Sequence, residues 1–348
     1  MKLDKKINIG DNYGYPSYPL IDENFLYIGI RYSDEQSHIN SCNRFEFKKY
    51  DLEKGDLLWS NVLESNLLCS SILSENMLIL VTDSKIQAIS KTDNNEIWEL
   101  MIKNWNSHIS IINGVIYLVN NNSITKIDLK TGKKIDTKKY RVKWLDSPVV
   151  NKSGRFFIST SNSKIIEIDN KTLEIVKEYK YPGSWAIAST PVFFDNQIIS
   201  NSYATYVTGF NIDTTEIIWR VKKETGKEPK QLLSNKEGIL FYCENLGDYK
   251  ISAVKLPKGK KIWTKKYHID KLLEDSETIK VIAKDETGQY FIGDIDKKNG
   301  EYKEKQSPTD FKFDDKFQYR LWNGADLVQN DNYVVACYSP NEVFVYKK

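Results

Sequence analysis

Polar turn residues recur along the chain at a nearly constant interval. Asp51, Ser90, Asp128, Asp169, Asn211, Lys255 and Asp296 are spaced 38 to 44 residues apart. The residue before each and the one three earlier are always apolar: Tyr50/Phe47, Ile89/Ile86, Ile127/Ile124, Ile168/Ile165, Phe210/Val207, Val254/Ile251 and Ile295/Ile292, with Tyr346/Val343 repeating the pair near the C-terminus. A strand covered on both faces by neighbouring sheets reads this way, without clean alternation. Upstream of each pair come two further strand-like runs, such as SPVVN and RFFISTS. A period near 40 residues with short strands is that of propeller blades.

The expected fold is therefore all-β: an eight-bladed β-propeller of four-stranded antiparallel blades, one domain over residues 1–348. The N-terminal KKINIG is placed to supply the missing outer strand of the eighth blade and close the ring, leaving no free sheet edge. Seven blades is the alternative if that segment is only a lead-in. After the polar residue the turn wants a side chain that tolerates positive φ. Gly55, Gly132, Gly259, Gly300 and Asn94 supply one, whereas Leu173 and Thr215 predict a different turn shape in their two blades. Four residues further on stand Trp59, Trp98, Trp219 and Trp263, replaced by Asp136, Lys177 and Glu304 in other copies. An indole there can pack between adjacent blades, so these four tryptophans are expected to be structural.

Composition narrows the class. Of 348 residues 40% are hydrophobic and 28% charged, the balance of a globular protein, and the formal net charge of +3 argues for neither a nucleic acid nor a membrane surface. No apolar run approaches the length of a spanning helix, and the first residues lack the pattern of a secretory signal. Cys42, Cys69, Cys243 and Cys337 form no CxxC pair and read as reduced, buried thiols. The sequence is accordingly expected to be cytoplasmic.

IDLKTGKKI, DLEKGDLLW and KLPKGKKIW resemble the Asp-x-x-Thr-Gly-Lys-x-x-Trp repeat of the pyrroloquinoline-quinone-type propellers, over nearly the whole chain. That resemblance implies tryptophans docked blade to blade. It covers quinone-dependent dehydrogenases, the lipoprotein of the outer-membrane assembly machine, and small cytosolic proteins without enzymatic role. The dehydrogenases stack their quinone on a disulfide of adjacent cysteines, which this sequence lacks, and the first cysteine here is Cys42, far from a lipobox position. The expectation is a non-catalytic cytosolic member that holds no cofactor.

Motifs for catalysis are missing from the sequence: no GxSxG, GxxxxGK[ST] or HExxH occurs. His38, His108 and His268 are far apart, and no metal site or catalytic residue is expected. Two lysine-rich stretches, KTGKKIDTKKYRVKW and KLPKGKKIWTKKYH, lie about three blades apart on outer strands, so they do not predict a nucleic-acid track. A second aromatic set is more informative. Trp105, Trp144, Trp185 and Trp322 each precede the innermost strand of the next blade, and Tyr15 holds the same place in the first. That puts them on one face, in two arcs beside the channel mouth. The long segments 31–44 and 298–324 flank the ring closure. Tyr and Trp so placed are favoured interface anchors. The expected function is a protein-binding propeller whose partner is a protein and not a membrane. By analogy it could be a bacterial immunity protein that binds a cognate toxin. The alternative is an enzyme, a lyase or hydrolase, with its site at the channel mouth.

Overall fold

Short β-branched and aromatic runs such as MLILV and ILFYCE are too brief for helices and apolar on both faces, so they need a sheet on either side. The computed structural model describes residues 2–10, 14–32, 44–63, 71–102, 107–181, 189–201, 206–223, 229–234, 237–244, 249–307, 326–339 and 341–348. These residues form eight four-stranded antiparallel sheets, the blades of a propeller. Blades 1 to 7 occupy residues 14–63, 72–101, 107–139, 150–180, 192–222, 229–265 and 268–306. In each the strands follow chain order from the innermost to the outermost. Blade 8 takes three strands from residues 326–347 and its fourth from Lys2–Asn8, which pairs antiparallel with Glu342–Lys347 from Lys2↔Lys347 to Asn8↔Glu342. Eight blades, closed by the N-terminal strand, is the architecture the repeat predicted.

The apolar pairs explain how the sheets hold together. Every member of the eight pairs is buried. In each pair the earlier residue faces the following blade and the later one the preceding blade. Ile124 joins Val119 and Phe156 in a core between blades 3 and 4, while Ile127 joins Ile79 and Trp98 between blades 2 and 3. Ile251 packs with Phe291 toward blade 7, and Val254 with Ile199 toward blade 5. Across the closure Val343 sits with Leu26 and Tyr50 of blade 1, and Tyr346 with Ile292 of blade 7. The described buried apolar residues thus fall into eight clusters, one at each interface. The hydrophobic drive that forms a blade also fixes its neighbours.

The polar residue that follows the pair caps the next turn at Asp51, Ser90, Asp128, Asp169, Asn211 and Asp296. Asp128 Oδ1 accepts from Thr131 N (2.8 Å) and Thr131 Oγ1 (2.7 Å), and Gly132 N donates to Asp128 O (2.9 Å). Thr131 and Lys130 hold the Asp128 carboxyl below its usual range. Asp169 and Asn211 cap in the same way, and the turns at Leu173 and Thr215 close with the same backbone bonds, Leu173 N to Asp169 O (2.9 Å) and Thr215 N to Asn211 O (3.0 Å). The expectation of another turn shape there is therefore corrected: φ is 57° at Leu173 and 64° at Thr215, as it is 68° at Gly132. Leu173 is fully buried in the core between blades 3 and 4, which offsets its backbone cost. Thr215 is only half-buried and has no comparable packing. Thr215→Gly is expected to raise stability by roughly 0.5–1 kcal/mol, since relief of a left-handed β-branched residue exceeds the entropy glycine adds to the unfolded chain. A shift of the urea midpoint measures it; a lower midpoint would show that the threonine side chain contributes more than its backbone costs.

Candidate partner-docking face

Because each blade runs from inside to outside, the chain must cross back to the axis between blades, always on the same face. The second hairpin of each blade lies on that face too. The crossing from Tyr140 to Val149 is described throughout. Hydrogen bonds to blades 3 and 4 hold it in place. Tyr140 OH donates to Leu173 O (2.8 Å), and Leu145 N to Asn121 O. Trp144 N donates to Ser161 Oγ (2.9 Å), Ser161 N to Trp144 O (3.0 Å), and Asp146 N to Ser159 O (2.8 Å). Leu145 is buried in the core between blades 3 and 4, so its neighbour Trp144 points the other way and is 43% exposed. Lys143 Nζ lies 4.0 Å from the Trp144 ring centroid, a cation–π contact at the surface. The result is a large aromatic ring held out on a rigid segment.

The other residues of the aromatic set are placed differently. Tyr15 is buried among Tyr290, Tyr338 and Phe344, where it bridges blades 7, 8 and 1, and leaves little surface for a partner. Trp105, Trp185 and Trp322 lie outside the described residues, as do His38, Cys42, Cys69 and most of the two long segments. Cys243 and Cys337 are buried thiols, and burial raises that of Cys337. His108 is half-buried with its pKa lowered by burial, and His268 stacks on Tyr249 at 3.6 Å rather than standing free on the surface. Among the described residues no three His, Cys, Asp or Glu side chains are grouped to hold a metal ion.

The outer-strand tryptophans reach into the next blade. Trp98 lies over Gly132 and donates from Nε1 to Leu129 O (3.0 Å); Trp263 lies over Gly300 and donates to Lys297 O (3.0 Å). Trp59, half-buried, donates to Lys91 O (3.3 Å), and Trp219 covers Gly259. Where tryptophan is missing, other side chains make the joint. In blade 4 Tyr179 OH donates to Ile212 O (2.7 Å), and Arg155 donates to Ile212 O (2.8 Å) and Asp213 Oδ1 (2.9 Å) of blade 5. Arg155 also grips Glu167 through Nε and Nη2, both at 2.8 Å. This network escaped sequence reasoning because its members come from three strands; the clue was an Arg and a Tyr in the blade whose tryptophan is replaced by Lys177. The lysine-rich stretches stitch blades as well: Lys138 pairs with Glu174, and Lys265 with Glu301.

Residues 120–280 match the family described as outer membrane protein assembly factor BamB. Among solved structures, BamB from Moraxella catarrhalis covers 100% of this chain and 97% of its own at a TM-score of 0.72 and 13% identity. A computationally designed protein, Ika8, covers 98% and 99% at a TM-score of 0.75 and 13% identity. At such identity the structures share the fold alone. No curated protein matches the sequence significantly. The matching family is described by the assembly of outer membrane proteins and not by a reaction. The same finding corrects three expectations. The cytoplasmic placement, the cytosolic kind of superfamily member and the exclusion of membranes from its partnerships are all withdrawn, because the family that residues 120–280 match is described as an outer membrane protein assembly factor.

Proposed function

We propose that the protein is a rigid scaffold that binds a protein partner on the crossing face, with Trp144 as an anchor, in the assembly of membrane proteins. The observation that carries this reading is the exposed Trp144 ring on a backbone already pinned to two blades. A preformed anchor loses little entropy on binding, and tryptophan buries a large area with few rotors to freeze. The membrane-assembly part rests on the description of the matching family.

Co-purification of the tagged protein from its source cells, followed by native mass spectrometry, is expected to give one stoichiometric protein partner. Trp144→Ala should weaken that complex at least thirtyfold, about 2 kcal/mol for an anchor at the centre of an interface. An unchanged affinity with a folded variant would sink the assignment to this face. A toxin recovered as the partner would narrow the reading to the immunity role. A reaction product found with the purified protein would favour the enzyme alternative.

A further inference from the structure

The segment that carries Trp144 also carries charge. Along the crossing Tyr140, Val142 and Leu145 turn inward and join the core between blades 3 and 4. Arg141, Lys143 and Trp144 are left outward and exposed, as is Lys139 at the end of the preceding outer strand. Lys143 touches the Trp144 ring, a contact that leaves its charge in place.

The acids around these cations are spoken for. Glu174 pairs with Lys138, and Glu178 lies 2.9 Å from Lys164 Nζ and 3.7 Å from Lys180 Nζ. Asp136 Oδ1 accepts from Thr137 N (2.7 Å). Among the described residues, therefore, no carboxylate is paired with Lys139, Arg141 or Lys143. Asp146, the acid of the crossing itself, is half-buried and engaged; counted in full, it would still leave two cations unanswered. The hairpin tips on either side are neutral. Asn121 and Asn122 of blade 3 and Asn162 of blade 4 bring amides, and Ser161 a hydroxyl.

We infer that the surface around Trp144 receives an acidic segment of the partner protein, with an apolar side chain on the indole and carboxylates on Arg141, Lys143 and Lys139. This deepens the scaffold reading above and rests on it, because it names the partner's chemistry at the same anchor. Charge of one sign around an aromatic anchor selects the partner and speeds encounter. The amides suit a peptide backbone, since each can both donate and accept. An anionic lipid surface is less well matched, because one ring among amides and hydroxyls offers little apolar area to insert. A nucleic acid would need a longer track of cations.

The test uses the full chain and four probes: a labelled peptide Asp-Glu-Leu-Asp-Glu-Leu-Asp-Glu, its counterpart with lysine at every acid, phosphatidylglycerol vesicles and a short single-stranded oligonucleotide. Fluorescence anisotropy should show saturable binding of the acidic peptide, with the basic one weaker by about tenfold or more. Arg141→Glu with Lys143→Glu should abolish that binding, and Arg141→Gln with Lys143→Gln should weaken it by about tenfold or more. Lys258→Glu with Lys260→Glu, the same change of net charge in blade 6, should leave it unchanged. Absence of saturable binding, equal binding of the two peptides, indifference to both Arg141 and Lys143 variants, or an equal loss in the blade 6 control overturns the acidic segment. Co-sedimentation with the vesicles, or tighter binding of the oligonucleotide than of the acidic peptide, overturns it in favour of a membrane or a nucleic acid. The co-purified partner separates this inference from the reading it rests on. A complex weakened by Trp144→Ala but indifferent to Arg141→Glu with Lys143→Glu keeps the anchor and removes the acidic segment, whereas indifference to all three removes both.

Discussion

Alanine at Trp219 is expected to lower the stability of the propeller by about 3–5 kcal/mol, the range for removing a buried tryptophan. The indole is wedged between two glycines. A Cβ at Gly209, on the adjacent strand of blade 5, would lie 2.4 Å from the ring, and one at Gly259, in the turn of blade 6, 2.5 Å from it. Neither glycine can fill the space that the ring leaves. The loss is polar as well as apolar. Trp219 Nε1 donates to Gln197 Oε1 (2.8 Å), while Gln197 Nε2 donates to Pro257 O (3.0 Å) in blade 6. Removing the indole orphans a buried amide oxygen in a chain of bonds that crosses the interface. The reciprocal change, Gly259→Ala, inserts a methyl into the same contact at a backbone φ of 67° and should also destabilise. Urea unfolding of both variants measures this. A loss below about 1 kcal/mol for Trp219→Ala would mean that the docking position is filled but not relied upon.

The second large effect is expected at Arg155, where the same joint is made without tryptophan. Arg155→Ala should cost roughly 2–3 kcal/mol, somewhat less than a fully buried pair because the guanidinium is partly exposed. It removes the fork on Glu167, whose side chain is 9% exposed, and two bonds to the blade 5 turn. The effect should depend on pH in a definite direction. Burial works to raise the Glu167 pKa, but hydrogen bonds from Arg155 and Tyr179 outweigh it and hold the carboxyl below its usual value. A carboxyl depressed in the folded state contributes stability above its unfolded pKa, near 4.3, and that contribution is lost as pH falls through the lower folded value. Without Arg155 the carboxylate keeps the burial and loses the cation. The gap between wild type and variant should then be widest near neutrality and shrink below about pH 4. A gap independent of pH would show that Arg155 acts by packing and not by charge.

These two joints mark what could and could not be read from the sequence. Blade number, ring closure and the order of strands follow from the i−1 and i−4 apolar positions, because burial on both faces leaves a one-dimensional trace. Trp98, Trp219 and Trp263 stand at one fixed offset, so their place could be anticipated too. The Arg155–Glu167–Tyr179 network has no such trace, since its residues are 12 apart and meet through strand pairing. Turn shape was misjudged at Leu173 and Thr215 because residue preference describes what a backbone favours, while two closing hydrogen bonds and a capping side chain decide what it adopts. Tyr15 was expected ahead of the innermost strand of blade 1, but it stands within that strand, Gly14–Asp22, and its ring turns into the core across the closure.

The closing strand has a kinetic consequence. Seven blades are built from strands close in sequence, but blade 8 requires Asn8 to meet Glu342, with nearly the whole chain between them. Such a contact must wait for the rest, since closure entropy is repaid only when the intervening blades have formed. Until then Glu342–Lys347 is an open edge and Lys2–Asn8 a strand without a sheet. In crowded refolding the strand of one copy can complete blade 8 of another, at little energetic difference from closing its own. Exchange of this one strand is therefore the route by which the propeller would form swapped dimers, and dilution the condition that favours the closed ring.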